Sequence, residues 1–261
     1  MSIASAAIAG APQALELQAV SCSFGALKAV DEVSLSVPRG RRHVIIGPNG
    51  AGKSTLFALV SGEQGLSSGR VLLNGEDVSS WSATRRAQSG LSRTYQITNV
   101  LLGLTVEENL LLALRGKHAS KYRLFASARP AQDENERIDA LLSLCSLSAF
   151  RHYTVSTMAY GQQRQLELAI ALASDPRVLL LDEPAAGLSP AERGPMADII
   201  RGLPRELTVL LIEHDMGLAL ALAERVTVLH FGRVLVEGTP DEVRNNQEVQ
   251  DIYFGTADHH A

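Results

Sequence analysis

Nine consecutive residues, Gly47-Pro48-Asn49-Gly50-Ala51-Gly52-Lys53-Ser54-Thr55, restrict what this chain can fold into more than any other stretch. Two glycines enclose four residues and are followed at once by Lys and Ser, the pattern of a loop that wraps a phosphate. The flanks fit. His43-Val44-Ile45-Ile46 reads as a short apolar strand, and Leu56-Phe57-Ala58-Leu59-Val60 as the apolar side of a helix. A loop that closes around an anion has no room for side chains at Gly47, Gly50 and Gly52, or needs backbone angles that only glycine adopts freely. Backbone N–H groups and the helix N-terminus then face the anion. Lys53 adds a full positive charge toward the outer phosphates, and Ser54 a hydroxyl suited to Mg²⁺.

Composition narrows the class. Of 261 residues, 46% are hydrophobic and 20% charged, enough for a sizeable core in one large domain or two small ones. The net charge of −4 gives no basic footprint for nucleic acid. Cys22 and Cys145 stand far apart with no partner motif, against a disulfide framework or a zinc site and in favour of a reducing compartment. No apolar run approaches the ~18 residues that cross a bilayer. Residues 1–12 are Ala- and Ser-rich, lack a basic start, and are expected to be a disordered tail rather than a secretion signal. Residues 258–261 are expected to be a loose tail.

Along the chain, Leu15–Val20 and Val33–Val37 alternate as strands, and Pro38-Arg39-Gly40 turns the chain after the second. Val71-Leu72-Leu73 before Asn74-Gly75 predicts a hairpin strand. From about Thr105 to Ser174 the period becomes helical. Val106, Leu110, Leu111 and Leu114 share one face; Ile138, Leu141, Leu142 and Cys145 share another; a third helix is read over 161–173. Arg115 to Arg129 is basic and poorly periodic, and reads as a loop. Continuous apolar runs then return at Val178–Leu181, Thr208–Ile212 and Val226–Leu229, with helical stretches between them. That pattern predicts a parallel sheet covered on both faces.

The run Val178-Leu179-Leu180-Leu181 ends in Asp182-Glu183. Asp182, at a strand's C-terminal end, is placed to hold Mg²⁺ directly or through water. Glu183 points elsewhere and suits a general base for an attacking water. His214 ends the next parallel strand and can reach a γ-phosphate. Gln96, in Arg93-Thr94-Tyr95-Gln96, precedes the helical stretch and offers a neutral amide to Mg²⁺ or water.

Taken in order, these motifs resemble the nucleotide-binding subunit of an ATP-binding cassette transporter, over about Leu15 to Gly255. The resemblance implies an α/β fold: a RecA-like P-loop NTPase core with a mixed or parallel sheet, an N-terminal antiparallel β-subdomain, and an α-helical subdomain over about 96–173. The cassette would occupy 13–257. ATP and Mg²⁺ are the implied cofactors. Nucleotide contacts are implied for Phe24 by stacking on adenine, for the loop from Gly47 through Pro48, Asn49, Gly50, Ala51, Gly52, Lys53 and Ser54 to Thr55, and for Gln96. Ser54, Gln96 and Asp182 would face the metal, and Glu183 and His214 would be catalytic. Met158-Ala159-Tyr160-Gly161-Gln162-Gln163 occupies the family signature, so Ala159, Gly161 and Gln162 would complete a second subunit's ATP site in a head-to-tail dimer. Gly161 opens a helix, and a helix N-terminus suits an anion.

The resemblance is narrower in places. Arg93-Thr94-Tyr95-Gln96, Ala185-Ala186-Gly187-Leu188, Ile212-Glu213-His214-Asp215-Met216, Phe231–Pro240 and Asp251–Gly255 are similar to the branched-chain amino acid importer subgroup. That subgroup also takes urea, short amides and aromatic acids. The implied partners are a homologous ATPase, identical or not, two integral-membrane permeases and, indirectly, an extracytoplasmic solute-binding protein. The implied place is the cytoplasmic face of a bacterial-type inner membrane, held peripherally. Three other readings stay open: a soluble non-transport cassette ATPase, a phosphotransferase sharing the loop, and a low-turnover ATP-binding regulatory subunit.

The chain departs from the family pattern in two places, at the signature's start, where Met158-Ala159 stands for the usual Leu-Ser, and at position 189. Ser189 stands where many relatives carry Asp. Ala159 replaces the usual Ser, so a hydroxyl that would donate to the γ-phosphate is missing; a hydrogen bond to a charged group contributes about 1.5–3 kcal/mol. Turnover is therefore expected to be slowed at the site this subunit completes. Ala159→Ser should raise steady-state ATPase turnover by about tenfold, the rate equivalent of the lower figure; an unchanged rate refutes the assignment.

Overall fold

A computed structural model of the chain describes residues 12–94, 100–116 and 130–254. Gln96 and the basic stretch 117–129 lie outside the described residues, as do the tails at 1–11 and 255–261. Two sheets form the body. The antiparallel sheet has the order β2-β1-β4-β5, from β1 (Gln13–Phe24), β2 (Leu27–Pro38), β4 (Ser68–Leu73) and β5 (Glu76–Asp77). The larger sheet has the order β10-β9-β3-β8-β7-β6. It is built from β3 (Arg42–Ile46), β6 (Leu91–Arg93), β7 (Val178–Asp182), β8 (Thr208–Ile212), β9 (Arg225–His230) and β10 (Arg233–Gly238). Its neighbours run parallel except the edge pair β10–β9.

The apolar runs are continuous because both faces of this sheet are covered. Val44 and Ile46, Leu179 and Leu181, and Val209 and Leu211 enter one core cluster. Their intervening neighbours Ile45, Leu180, Leu210 and Ile212 enter another. This is the two-residue alternation of a strand expressed in a run with no polar members. The second cluster also takes the inward residues of β1 and β2 and the helix α1 (Lys53–Ser61), which lies between the sheets with Leu56, Phe57 and Leu59 fully buried.

Arg86, on the short helix α2 (Ala83–Gln88), is almost wholly buried and donates to the terminal carbonyls of α1 at Leu59 (2.6 Å) and Val60 (2.8 Å). A cation at a helix C-terminus meets the negative end of its dipole. Neither α2 nor β6 was legible as periodicity; each is too short to show one.

The first cluster packs α3 (Val106–Gly116), α4 (Gln132–Leu144), α5 (Tyr160–Ala173) and α6 (Pro190–Gly202) against the sheet. Val106, Leu110, Ile138, Leu141, Cys145 and Leu166 are each 2% exposed or less. Arg115, expected in a loop, instead closes the last turn of α3, where its guanidinium pairs with Glu134 on α4 at 2.7 and 2.8 Å. The Asn74-Gly75 turn has positive φ at both residues (53° and 85°) and joins β4 to β5. Cys22 and Cys145 are buried free thiols. Helices α7 (Met216–Leu222), α8 (Pro240–Arg244) and α9 (Gln247–Phe254) complete the described chain. Among the described residues no helix is long and apolar enough to cross a membrane.

His43 lies inside β3, 2.8 Å from the Thr227 hydroxyl on β9, and is 1% exposed. Burial, reinforced by the Arg225 charge, pushes its pKa from 6.5 down to about 3. Between those values the unfolded chain holds a proton that the folded chain lacks, so stability falls as pH drops below 6.5. Urea unfolding between pH 7 and pH 5 should show this loss, with a slope contribution of up to about 1.4 kcal/mol per unit. His43→Gln should flatten it; the same slope in the variant would assign the loss elsewhere.

Candidate active site

Strand β3 ends at the glycine loop and α1 begins at Lys53, so the loop sits at the C-terminal edge of the parallel sheet. Gly52 is required for a reason not evident from sequence. It has φ +98°, and a Cβ on it would lie 2.3 Å from the Ala29 carbonyl oxygen of β2. At Gly50 nothing lies within 4 Å of a Cβ, and φ of +79° alone favours glycine. The loop is thus shaped by its own protein neighbours before any anion arrives. Gly47 and Ala51 are buried, Pro48 half-buried, and Asn49, Gly50 and Ser54 exposed; Thr55 is half-buried. The Lys53 side chain curls inward, and its ammonium donates to the carbonyls of Gly47 (2.7 Å) and Pro48 (3.0 Å). Burial lowers the Lys53 pKa, while Glu183 and Asp182 pull it back up.

Those two acids come from the end of β7. Asp182 is 4% exposed. Its Oδ2 accepts from Arg93 Nη2 at 2.8 Å, and its backbone N–H donates to Thr94 Oγ1 at 3.3 Å. Its Oδ1 is buried with no hydrogen-bond partner among the described residues. Burial raises the Asp182 pKa, opposed by Arg93. An unpartnered carboxylate oxygen, with the Ser54 hydroxyl exposed on the first turn of α1, is a hard-oxygen donor set that fits Mg²⁺.

Glu183 takes φ +47°, the left-handed region, with its N–H donating to Ile212 O at 3.0 Å. For a residue with a Cβ this costs roughly 1–2 kcal/mol. The turn separates the Glu183 carboxylate from that of Asp182. Glu183 Oε2 lies 3.8 Å from His214 Nδ1, so the acid at the end of β7 meets the histidine that follows β8.

Three functional neighbours were not singled out from sequence. Glu213 is wholly buried; its Oε1 accepts from Ala185 N (3.3 Å) and its Oε2 is 4.0 Å from His214 Nδ1. Burial raises its pKa. Glu192, on α6, accepts from Ser189 N and Oγ (2.9 and 2.7 Å) and from Gly161 N at 3.3 Å. The third is Arg93. Its presence in the quoted segment Arg93-Thr94-Tyr95-Gln96 was the only signal, since charge pairing across strands is invisible in one sequence.

The signature residues sit apart from the loop, at the N-terminus of α5. Gln162 Oε1 accepts from Ala159 N at 3.0 Å, and Tyr160 packs on Gly187, where a Cβ would meet its ring at 3.0 Å. Ala159 and Tyr160 are exposed and Gly161 is buried. Phe24 is 51% exposed at the end of β1, on the hairpin whose other strand, β2, touches Gly52.

Strand, glycine loop, helix and a distant acid-tipped strand in one parallel sheet define a phosphate-loop nucleoside triphosphatase. Residues 30–186 match the family model described as ABC transporter, and residues 233–259 match that of the branched-chain amino acid ATP-binding cassette transporter. The chain belongs to the ABC transporter family as an ATP-binding cassette, an ATPase subunit. It is 37% identical over 251 residues to the high-affinity branched-chain amino acid transport ATP-binding protein BraF of Pseudomonas aeruginosa, covering 93% of this chain and 98% of that one. It is 36% identical over 253 residues to the corresponding protein LivG of Escherichia coli K12, with the same coverage. Among solved structures it resembles the ADP conformation of MJ1267, an ATP-binding cassette of an ABC transporter. The TM-score is 0.83 at 29% identity, covering 93% of this chain and 99% of that one.

Proposed function

We propose that this chain binds ATP with Mg²⁺ and hydrolyses it between itself and a homologous cassette, driving import of branched-chain amino acids or related small polar or aromatic solutes. The observation that carries the reading is the convergence of Asp182 and Glu183 on the charge of Lys53, inside a cassette whose C-terminal segment matches the branched-chain amino acid family. The names of BraF and LivG, matched over 93% of the chain, support the cargo class.

The division of labour follows from position. The loop amides and Lys53 bind the phosphates, and Phe24 supports the base. Ser54 and Asp182 would hold Mg²⁺, with Gln96 from the segment after β6. When bound, the ion offsets phosphate charge. Glu183 orients a water and takes its proton; His214, beside it, holds the carboxylate and reaches the γ-phosphate. Ala159, Gly161 and Gln162 face the nucleotide of the other subunit, where the amides at the start of α5 meet its charge.

The membrane partner fits the helical unit. Leu101, Leu102 and Leu112 are 50–52% exposed on or beside α3. Their platform is fixed: Asn109 bonds both the N–H (2.8 Å) and the carbonyl (3.1 Å) of Leu101, and Ser156 N donates to Leu102 O. An apolar surface on a stiff support suits an amphipathic permease segment. The chain would then sit peripherally on the cytoplasmic face of the membrane, with a solute-binding protein acting on the far side. Ala159 favours one second reading, a low-turnover regulatory subunit, and the same measurement separates the two.

Glu183→Gln should reduce turnover by about 10²–10⁴-fold while ATP affinity stays near that of the wild type; Lys53→Ala should abolish nucleotide retention. Equal turnover in Glu183→Gln and wild type would leave only an ATP-binding module. In reconstituted permease complexes, the double change Leu101→Ser and Leu102→Ser should remove permease-stimulated ATPase and transport without altering basal turnover. Stimulation that survives both changes would place the docking surface elsewhere.

A further inference from the structure

Arg93 lies outside the expected site but contacts one of its acids directly. It ends β6, beside β7, with 10% of its side chain exposed. One terminal nitrogen, Nη2, donates to Asp182 Oδ2 at 2.8 Å. The other, Nη1, donates to Ser61 Oγ at 3.2 Å, on the last residue of α1, and to Glu63 Oε2 at 2.9 Å, just past its end. We propose that Arg93 is a positioning residue of the nucleotide site: it fixes the Asp182 carboxylate for the divalent cation and ties it to the far end of the helix that begins at Lys53.

The feature that points to a metal ligand is the second oxygen of Asp182. Arg–carboxylate pairs frequently engage both carboxylate oxygens as a fork. Here the guanidinium is divided between two acids, and only Oδ2 of Asp182 is engaged. Oδ1 is buried without a hydrogen-bond partner among the described residues. One oxygen is thus held and its twin left for another ligand, the arrangement by which outer groups orient metal-binding carboxylates. The backbone is fixed from the same place, since Thr94 Oγ1 accepts from Asp182 N and Thr94 N donates to Leu180 O. Arg93, the last residue of β6, and Thr94 just after it therefore set both the side chain and the main chain of Asp182. The strand leads directly to Gln96. This inference rests on the reading of Asp182 as a magnesium ligand.

The test uses the full chain, a non-hydrolysable ATP analogue, and Mn²⁺ as a paramagnetic probe titrated by electron paramagnetic resonance. Arg93→Met should weaken Mn²⁺ binding to the analogue-loaded protein by about 10–100-fold, while analogue affinity in EDTA stays within about threefold of wild type. Arg93→Lys, which keeps the charge but cannot span both acids, should fall between the two. Glu63→Gln, which keeps an oxygen to accept from Arg93 Nη1 and so preserves the tie while removing the second acid's charge, should bind Mn²⁺ nearly as wild type. Unchanged Mn²⁺ affinity in Arg93→Met overturns the proposal, as does an equal loss of metal-free analogue binding, which would mark general support of the fold. If Arg93→Met does not fold, an unweakened Arg93→Lys overturns it instead. Wild-type protein that binds analogue but no Mn²⁺ would sink the magnesium reading of Asp182, and the Arg93 role with it; wild-type protein that binds neither would sink the nucleotide reading itself.

Discussion

The structure turns on a buried positive charge, the Lys53 ammonium, held where a helix begins. Burying an ammonium is costly unless its donors are met and opposite charge is near. Here the loop's own carbonyls at Gly47 and Pro48 take the hydrogen bonds, and Asp182 and Glu183 supply the opposing field. That requirement fixes much else. The acids must come from a strand whose end reaches the loop edge, which a parallel sheet provides. The loop must also close tightly, and it does so against Ala29 of the antiparallel sheet. The two sheets are therefore one machine part: β2 shapes the loop that β3 delivers.

Around this charge the carboxylates are distinguished by surroundings rather than by residue type. Asp182 is buried, held on one oxygen by Arg93 and open on the other. Glu183 is turned away by its left-handed backbone toward His214. Glu213 is sealed below them, linked to the Ala185 amide. Adjacent residues thus acquire separate tasks through backbone angle and burial, as acid–base sites generally require. An extended residue at 183 would follow the strand direction, whereas the left-handed turn redirects the chain and its carboxylate.

The helical unit obeys a different economy. Its core of leucines is ordinary, but its edges are pinned by polar clamps: Arg115 on Glu134, Asn109 on Leu101, and Glu192 joining α6 to the Gly161 amide of α5. Such clamps hold Leu101 against α3, α3 against α4, and the start of α5 against α6.

The sequence by itself determined whatever is local. The glycine loop, the apolar runs ending in Asp182 and His214, the helical faces of α3, α4 and α5, and the Asn74-Gly75 turn all follow from residue type and period, which neighbours within a few positions decide. Tertiary structure alone decided what depends on strand order. Arg93 and Asp182 stand 89 residues apart and meet only because β6 pairs with β7. Gly52 must be glycine because β2 passes over it, and Glu213 is buried because β8 lies between β3 and β7. Arg115 belongs to a helix because a partner on α4 receives its charge. Periodicity shows which face of an element is apolar; it does not show which element that face will meet, and the pairing of buried charges is settled only there.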